Sequence, residues 1–321
     1  MRTYRFYYRH IVRKSQAIWK IAPFAHFCPM RYSVRMAALK TGFFVLVLSL
    51  FSCVPPQKNN KPLFGAAPPP GVAPPTAISQ NDAADKLAAV MRNAQLPPAL
   101  AANIQAAAAR SPAFAADLRA CLAGDQSLRA LVDKQHPLPS GYAPADLVTL
   151  TDGAYRVNRA GLLLRRAAAE SLAEMAADAR KNGITLLASS AYRSYDYQVE
   201  VYNRNVREMG QEAADRESAR PGHSQHQTGL VVDFGSIDDS FARTAAGRWM
   251  AANASRFGWS LSFPDGYEAV TGYRWESWHY RYVGRELAAF IDAYFGGIQQ
   301  YALRFIHEWE LYTMKNGNFD L

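Results

Sequence analysis

The chain has 321 residues, 49% of them hydrophobic, with 36 Lys+Arg against 27 Asp+Glu and a formal charge of +9. Eleven of the basic residues and none of the acids fall in residues 1–81, so residues 82–321 carry 25 bases and 27 acids and sum to −2, which excludes a basic globular body and a nucleic-acid partner. Aromatics at 12% and the lack of any apolar run near the ~18 residues of a bilayer span exclude collagen-like, wholly disordered and polytopic membrane chains.

In chain order, the first feature is Phe43–Phe51 (FFVLVLSLF), which follows Lys40 and ends at Ser52-Cys53. Its length and flanks are those of a secretory h-region. LFSC resembles a lipoprotein signal, which predicts lipidation of Cys53 and an extracytoplasmic, membrane-anchored protein; soluble secretion is the alternative. Met36 gives the segment ordinary proportions if it is the start, leaving residues 1–35 as an over-extended frame and 36–53 as the signal. Loss of Cys28 with that frame and lipidation of Cys53 leave Cys121 alone, so no intramolecular disulfide is expected. Cys121 itself reads as a buried, inert thiol.

Residues 54–77 hold eight of the 18 prolines and read as an extended, semi-rigid tether. Residues 78–135 are Ala-rich with apolar positions at helical spacing, broken at Pro97-Pro98 and Ser111-Pro112, which predicts three short helices. From residue 136 to about 290 the texture becomes mixed. A helix is expected over Gly161–Lys181, with Leu164, Ala168, Leu172, Met175 and Ala179 on one face and Asn182-Gly183 as its stop. Strands are expected at Ile184–Ser189, Leu230–Phe234 and Trp278–Val283. Helices are expected at Gln198–Met209 and Ala245–Phe257 and, interrupted at Gly296-Gly297, over 285–312, with 291–321 as a helical tail. The interleaving has no strict βαβ rhythm and predicts an α+β fold.

Two polar clusters sit inside apolar sequence. In PGHSQHQTGLVVDF (221–234), His226 and Asp233 are seven apart, so a continuous strand would place them on opposite faces. They can converge if His226 lies on a loop before the strand and Thr228-Gly229 makes the turn. Asp233 between Val232 and Phe234 needs a partner or a metal to offset desolvation. In WESWHYRYV (275–283), Glu276 stands three before His279. Two histidines, one carboxylate and an open position are the donor pattern of a catalytic zinc, and a further acid nearby can serve as base. His223, His136 before Pro137 and His307 on the last helix read as loop, structural or solvated histidines.

The strings SSAYRSYDYQ (189–198), PGHSQHQTGLVVDF, TGYRWESWHYRYVG (271–284) and LPSGYAPADLV (138–148) closely resemble the VanY-type D-alanyl-D-alanine carboxypeptidases, zinc peptidases of the LAS group, over about residues 134–290. Ser224, His226, Gly229 and Asp233 fill one signature and Glu276, Trp278 and His279 the other. Gln225 and Val231 depart from the common Glu and Ala at positions that bind no metal. The resemblance implies a small antiparallel sheet flanked by helices with a zinc site in the cleft, the Hedgehog/DD-peptidase-like arrangement, here preceded by the Ala-rich helices. It also implies Zn2+ on His226, Asp233 and His279, with Glu276 as catalytic base. For Arg193, Gln198 and Ser224 it implies contact with the substrate's carboxyl end, and Arg193 could also stabilise the oxyanion. The implied partner is a peptidoglycan stem peptide, and the chain is expected to be a monomer. Removal of the terminal D-Ala from D-Ala-D-Ala stems is the preferred reaction. L,D-carboxypeptidase action, endopeptidase action and a non-catalytic cell-wall binding module remain open.

Overall fold

The computed structural model describes residues 80–317; the over-extended frame, the signal, Cys53 and the tether lie outside them. The described residues are α+β. Three helices, α1 (Gln80–Asn93), α2 (Pro98–Arg110) and α3 (Ala113–Ala123), open the chain and break at the two proline sites. Two short strands, β1 (Leu147–Thr149) and β2 (Arg156–Val157), and β3 (Leu163–Arg165) follow. The helix expected from Gly161 begins only at Arg166, as α4 (Arg166–Lys181). The preceding leucines are claimed elsewhere: β3 pairs antiparallel with β1, Arg165 N donates to Gly229 O and Leu163 O accepts from Tyr192 N. The apolar stripe of α4 is fully buried at Ala168, Leu172, Met175, Ala176 and Ala179, and Gly183 closes it at φ 71°.

The remaining elements are β4 (Leu187–Ser190), α5 (Tyr195–Met209), α6 (Gln211–Glu217), β5 (Val231–Phe234), α7 (Ala245–Asn253), β6 (Trp259–Leu261), α8 (Glu268–Thr271), β7 (His279–Tyr282), α9 (Arg285–Phe295) and α10 (Gln299–Asn316). Helix α5 starts three residues earlier than expected because Ser194 caps it, accepting from Tyr197 N. The last four residues of the helix expected over 245–257 form a 3₁₀ turn, Ala254–Phe257. The principal sheet has the order β2-β4-β5-β7-β6. Its neighbours are antiparallel apart from the short edge strand β2, which runs parallel to β4.

Strand alternation divides the sheet chemically. Val232, Phe234 and Tyr280 face a core with α4, Trp249 and Trp259, whereas Asp233 and His279 turn to the other face. A second core joins α1–α3 to α9 and α10 through Leu87, Phe114, Phe290 and Phe305, so segments from the two ends of the described chain share one interior. Cys121 is buried in it, and burial, with Asp117 nearby, pushes its thiol up to about 12, which keeps it protonated and unreactive. Among the described residues no helix is long and apolar enough to cross a membrane.

Candidate metal centre

Strands β5 and β7 pair so that Asp233 stands directly opposite His279, which puts a carboxylate and an imidazole side by side with no loop involved. His226 arrives from the 3₁₀ turn Gln225–Thr228 ahead of β5. Ser224 Oγ caps that turn, accepting from His226 N at 3.3 Å. Gly229 ends it at φ 69°, reversing the chain so that His226 and Asp233 converge although seven residues apart.

A Cβ on Gly229 would approach Arg165 Cγ and Leu147 Cδ2 at 3.0 Å and Pro144 Cγ at 3.1 Å. Gly229→Ala is therefore expected to lose roughly 1–3 kcal/mol from the left-handed backbone alone and to weaken metal retention. Thermal unfolding of the metal-loaded and chelator-treated protein, together with metal content, measures both effects.

His226 Nε2 lies 3.2 Å from Asp233 Oδ2. His279 Nδ1 lies 3.2 Å from both Asp233 Oδ1 and Glu276 Oε2. One donor atom from each of His226, Asp233 and His279 fits within 4.8 Å of the others, and all three residues are buried. His226 Nδ1 is 2.7 Å from Ala191 O; the contact requires its proton on Nδ1 and leaves Nε2 as a free donor for a metal.

The electrostatics describe a cation site. Burial favours the neutral acid at Asp233, but the two histidines overcome it and hold the carboxyl far below its ordinary range. Burial lowers His226. It also opposes protonation of His279, yet the contacts to Asp233 and Glu276 prevail and push that imidazole up to about 9. Glu276 is raised by burial, with His279 acting against the rise. Asp233 is a buried carboxylate whose Oδ1 has only the 3.2 Å contact with His279 Nδ1, and its burial is costly unless a cation is held beside it. The two-imidazole, one-carboxylate set with an open side is that of zinc, and these residues fit Zn2+.

The three donors and Glu276 line a cavity of about 220 Å³ whose walls include Arg193, Ser224, Phe263, Tyr273 and Trp278. Arg193 is half-buried; its Nη1 donates to Gln198 Oε1 at 2.8 Å and its backbone N to His226 O at 3.2 Å. Gln198, expected at the substrate, is fully buried. It sits behind Arg193, its Nε2 donating to Ala219 O at 2.6 Å, so it aims the guanidinium. Burial lowers the Arg193 pKa, with Asp233 opposing, and among the described residues no carboxylate is salt-bridged to it.

Sequence reasoning missed Phe263, whose ring centroid is 4.7 Å from that of His279, and Tyr273 on the cavity wall. It also missed Arg274, which joins Glu217 at 3.3 Å and Asp239 at 2.9 Å beside the cavity. Arg274 and Tyr273 belong to the string TGYRWESWHYRYVG but stand outside its metal pattern. Phe263 carries no motif, and only the fold brings it to His279.

Residues 161–285 match the family model VanY, D-alanyl-D-alanine carboxypeptidase. The putative carboxypeptidase YodJ of Bacillus subtilis is 37% identical over 174 residues, covering 52% of this chain and 64% of its own length. The chain thus spans less than two thirds of that curated relative. Among solved structures, the LdcB LD-carboxypeptidase is 35% identical over 58% of this chain and 88% of its own, with a TM-score of 0.49. A VanY D,D-pentapeptidase from a VanB-type resistance cassette, solved with Zn(II), is 30% identical over 56% and 99%, with a TM-score of 0.47. The matched stretch contains His226, Asp233, Glu276 and His279, and it identifies residues 161–285 as a VanY-type peptidase domain.

Proposed function

We propose that the chain is an extracytoplasmic zinc D,D-carboxypeptidase that removes the terminal D-Ala from peptidoglycan stem peptides, tethered to a membrane through a lipidated Cys53. The observation that carries this reading is one cavity holding three metal donors, a buried carboxylic acid and a guanidinium without a carboxylate partner among the described residues. Bound at His226, Asp233 and His279, zinc supplies Lewis-acid polarisation and lowers the pKa of water toward neutrality. Glu276, raised by burial, takes the proton of the attacking water and returns it to the departing amine. Arg193 grips the substrate's terminal carboxylate or the charge developing on the scissile carbonyl, in a half-buried setting where such contacts are stronger than in water. Ser224 orders the His226 turn and offers its hydroxyl at the cavity wall.

Incubating the protein with a pentapeptide stem ending in D-Ala-D-Ala and with a tetrapeptide stem, and identifying the released amino acids by mass, tests the reading. Release of D-Ala from the pentapeptide is expected. Release from the tetrapeptide alone would establish the L,D-carboxypeptidase alternative, and cleavage of cross-linked stems without terminal trimming would establish an endopeptidase. Arg193→Lys keeps a charge but loses the forked geometry. On the cleaved stem it should raise KM at least about tenfold, on the scale of ~1.5–3 kcal/mol for a charged hydrogen bond.

A further inference from the structure

His136 and His307, 171 residues apart in sequence, meet beyond the catalytic cavity, where the segment before Pro137 packs against α10. Their ring centroids are 5.1 Å apart with planes at 65°. His226 and His279 of the candidate metal centre stand at 5.0 Å and 82°, so the outer pair has the same ring spacing at a smaller tilt. The tautomer of His136 is fixed in the same way as that of His226. His136 Nδ1 lies 2.7 Å from Asp133 Oδ1, a contact that places a proton on Nδ1 and turns Nε2 outward as the ring's other donor. Asp133 is 5% exposed and is locked by Gln135 N, His136 N and Gln300 Nε2. The carboxylate–histidine unit is therefore rigid, with no side-chain ordering to complete when a ligand arrives.

The two rings open on a cavity of about 90 Å³, also lined by Gln95, Arg304 and Glu308. Arg304 and Glu308 bring opposite formal charges to the cavity wall, and the Asp133 carboxylate stands behind His136. Gln95 holds a left-handed backbone at φ 55°, a strained conformation for a residue with a side chain.

We propose that His136 and His307, oriented by Asp133, form a second site for a borderline divalent transition metal of the zinc or copper class, separate from the catalytic centre. Imidazole donors select such ions over magnesium or calcium. An ion there bridges the segment before Pro137 and α10, and it pins the seam between the catalytic region and the helices of the second core.

The test is zinc stoichiometry on the full chain, stripped with chelator, dialysed against free Zn2+ alone and measured by elemental analysis. His136→Gln and His307→Phe, the latter keeping the ring contact while removing the nitrogens, are each expected to hold one zinc per chain fewer than the parent. His279→Ala removes the catalytic ion instead, and pairing it with His307→Phe should lose two. Ligands elsewhere in the chain contribute equally to every variant, so the differences report the pair. Retention of the catalytic zinc by His136→Gln and His307→Phe, seen as undiminished peptide hydrolysis, shows that both are folded. If both variants hold as much zinc as the parent, the site does not exist, whatever the substrate of the catalytic centre proves to be.

Discussion

Replacing Glu276 by Gln is expected to lower kcat by about 10²–10⁴-fold, the usual worth of a positioned general acid–base, while leaving one zinc in the catalytic centre. The two halves of that outcome follow from different features. Zinc stays because His226, Asp233 and His279 converge on their own and Gln preserves the volume of a side chain that is 9% exposed. Turnover falls because an amide cannot accept the proton of water and pass it to the amine. Burial raises Glu276, whereas His279 at 3.2 Å opposes the rise. Zinc content and steady-state turnover on the same preparation check the expectation. Loss of the metal would make Glu276 a ligand and leave the base unassigned; full activity would reduce the centre to one that needs no such base. A non-catalytic binding module would show no turnover even in the parent.

How much of this was legible without coordinates depends on the range over which each interaction acts. The stripe of α4, the proline breaks between α1, α2 and α3 and the stop at Asn182-Gly183 are encoded within a few residues and were readable. The conversion of Leu163–Arg165 from helix to strand was not, because it is decided by β1, Gly229 and Tyr192, all distant in sequence. The convergence of His226, Asp233 and His279 was readable because the spacing is local in each motif and the odd separation of His226 and Asp233 demanded a turn. The burial of Gln198 beneath Arg193, the ring of Phe263 against His279 and the meeting of His136 with His307 depend on tertiary packing across tens to hundreds of residues. Their local sequence carries no trace of it.

Replacing Asp233 by Asn should all but abolish catalytic-centre zinc and activity together, a larger loss of affinity than the 10–100-fold typical of outer contacts. The side chain keeps its shape, so the effect isolates charge: Asp233 is the one carboxylate among the three donors, and its replacement leaves two buried imidazoles and a neutral amide oxygen to hold a divalent ion. The same substitution changes the pH dependence of binding. In the parent, contact with Asp233 and Glu276 overcomes burial and pushes His279 up to about 9, so below that pH zinc must displace a proton. Parent affinity should therefore strengthen about tenfold per pH unit on rising toward 9 and then level off, the sign expected when metal and proton compete for one lone pair. The Asp233→Asn change removes the main partner that raises His279, leaving burial to pull the imidazole down, and the residual affinity should level off at a lower pH than in the parent. Competition titrations with a chelator across pH 6–10 measure both curves. A parent curve flat through that range would show that His279 carries no proton for zinc to displace, and a variant curve that levels off at the parent's pH would show that the carboxylate is not what holds the proton there.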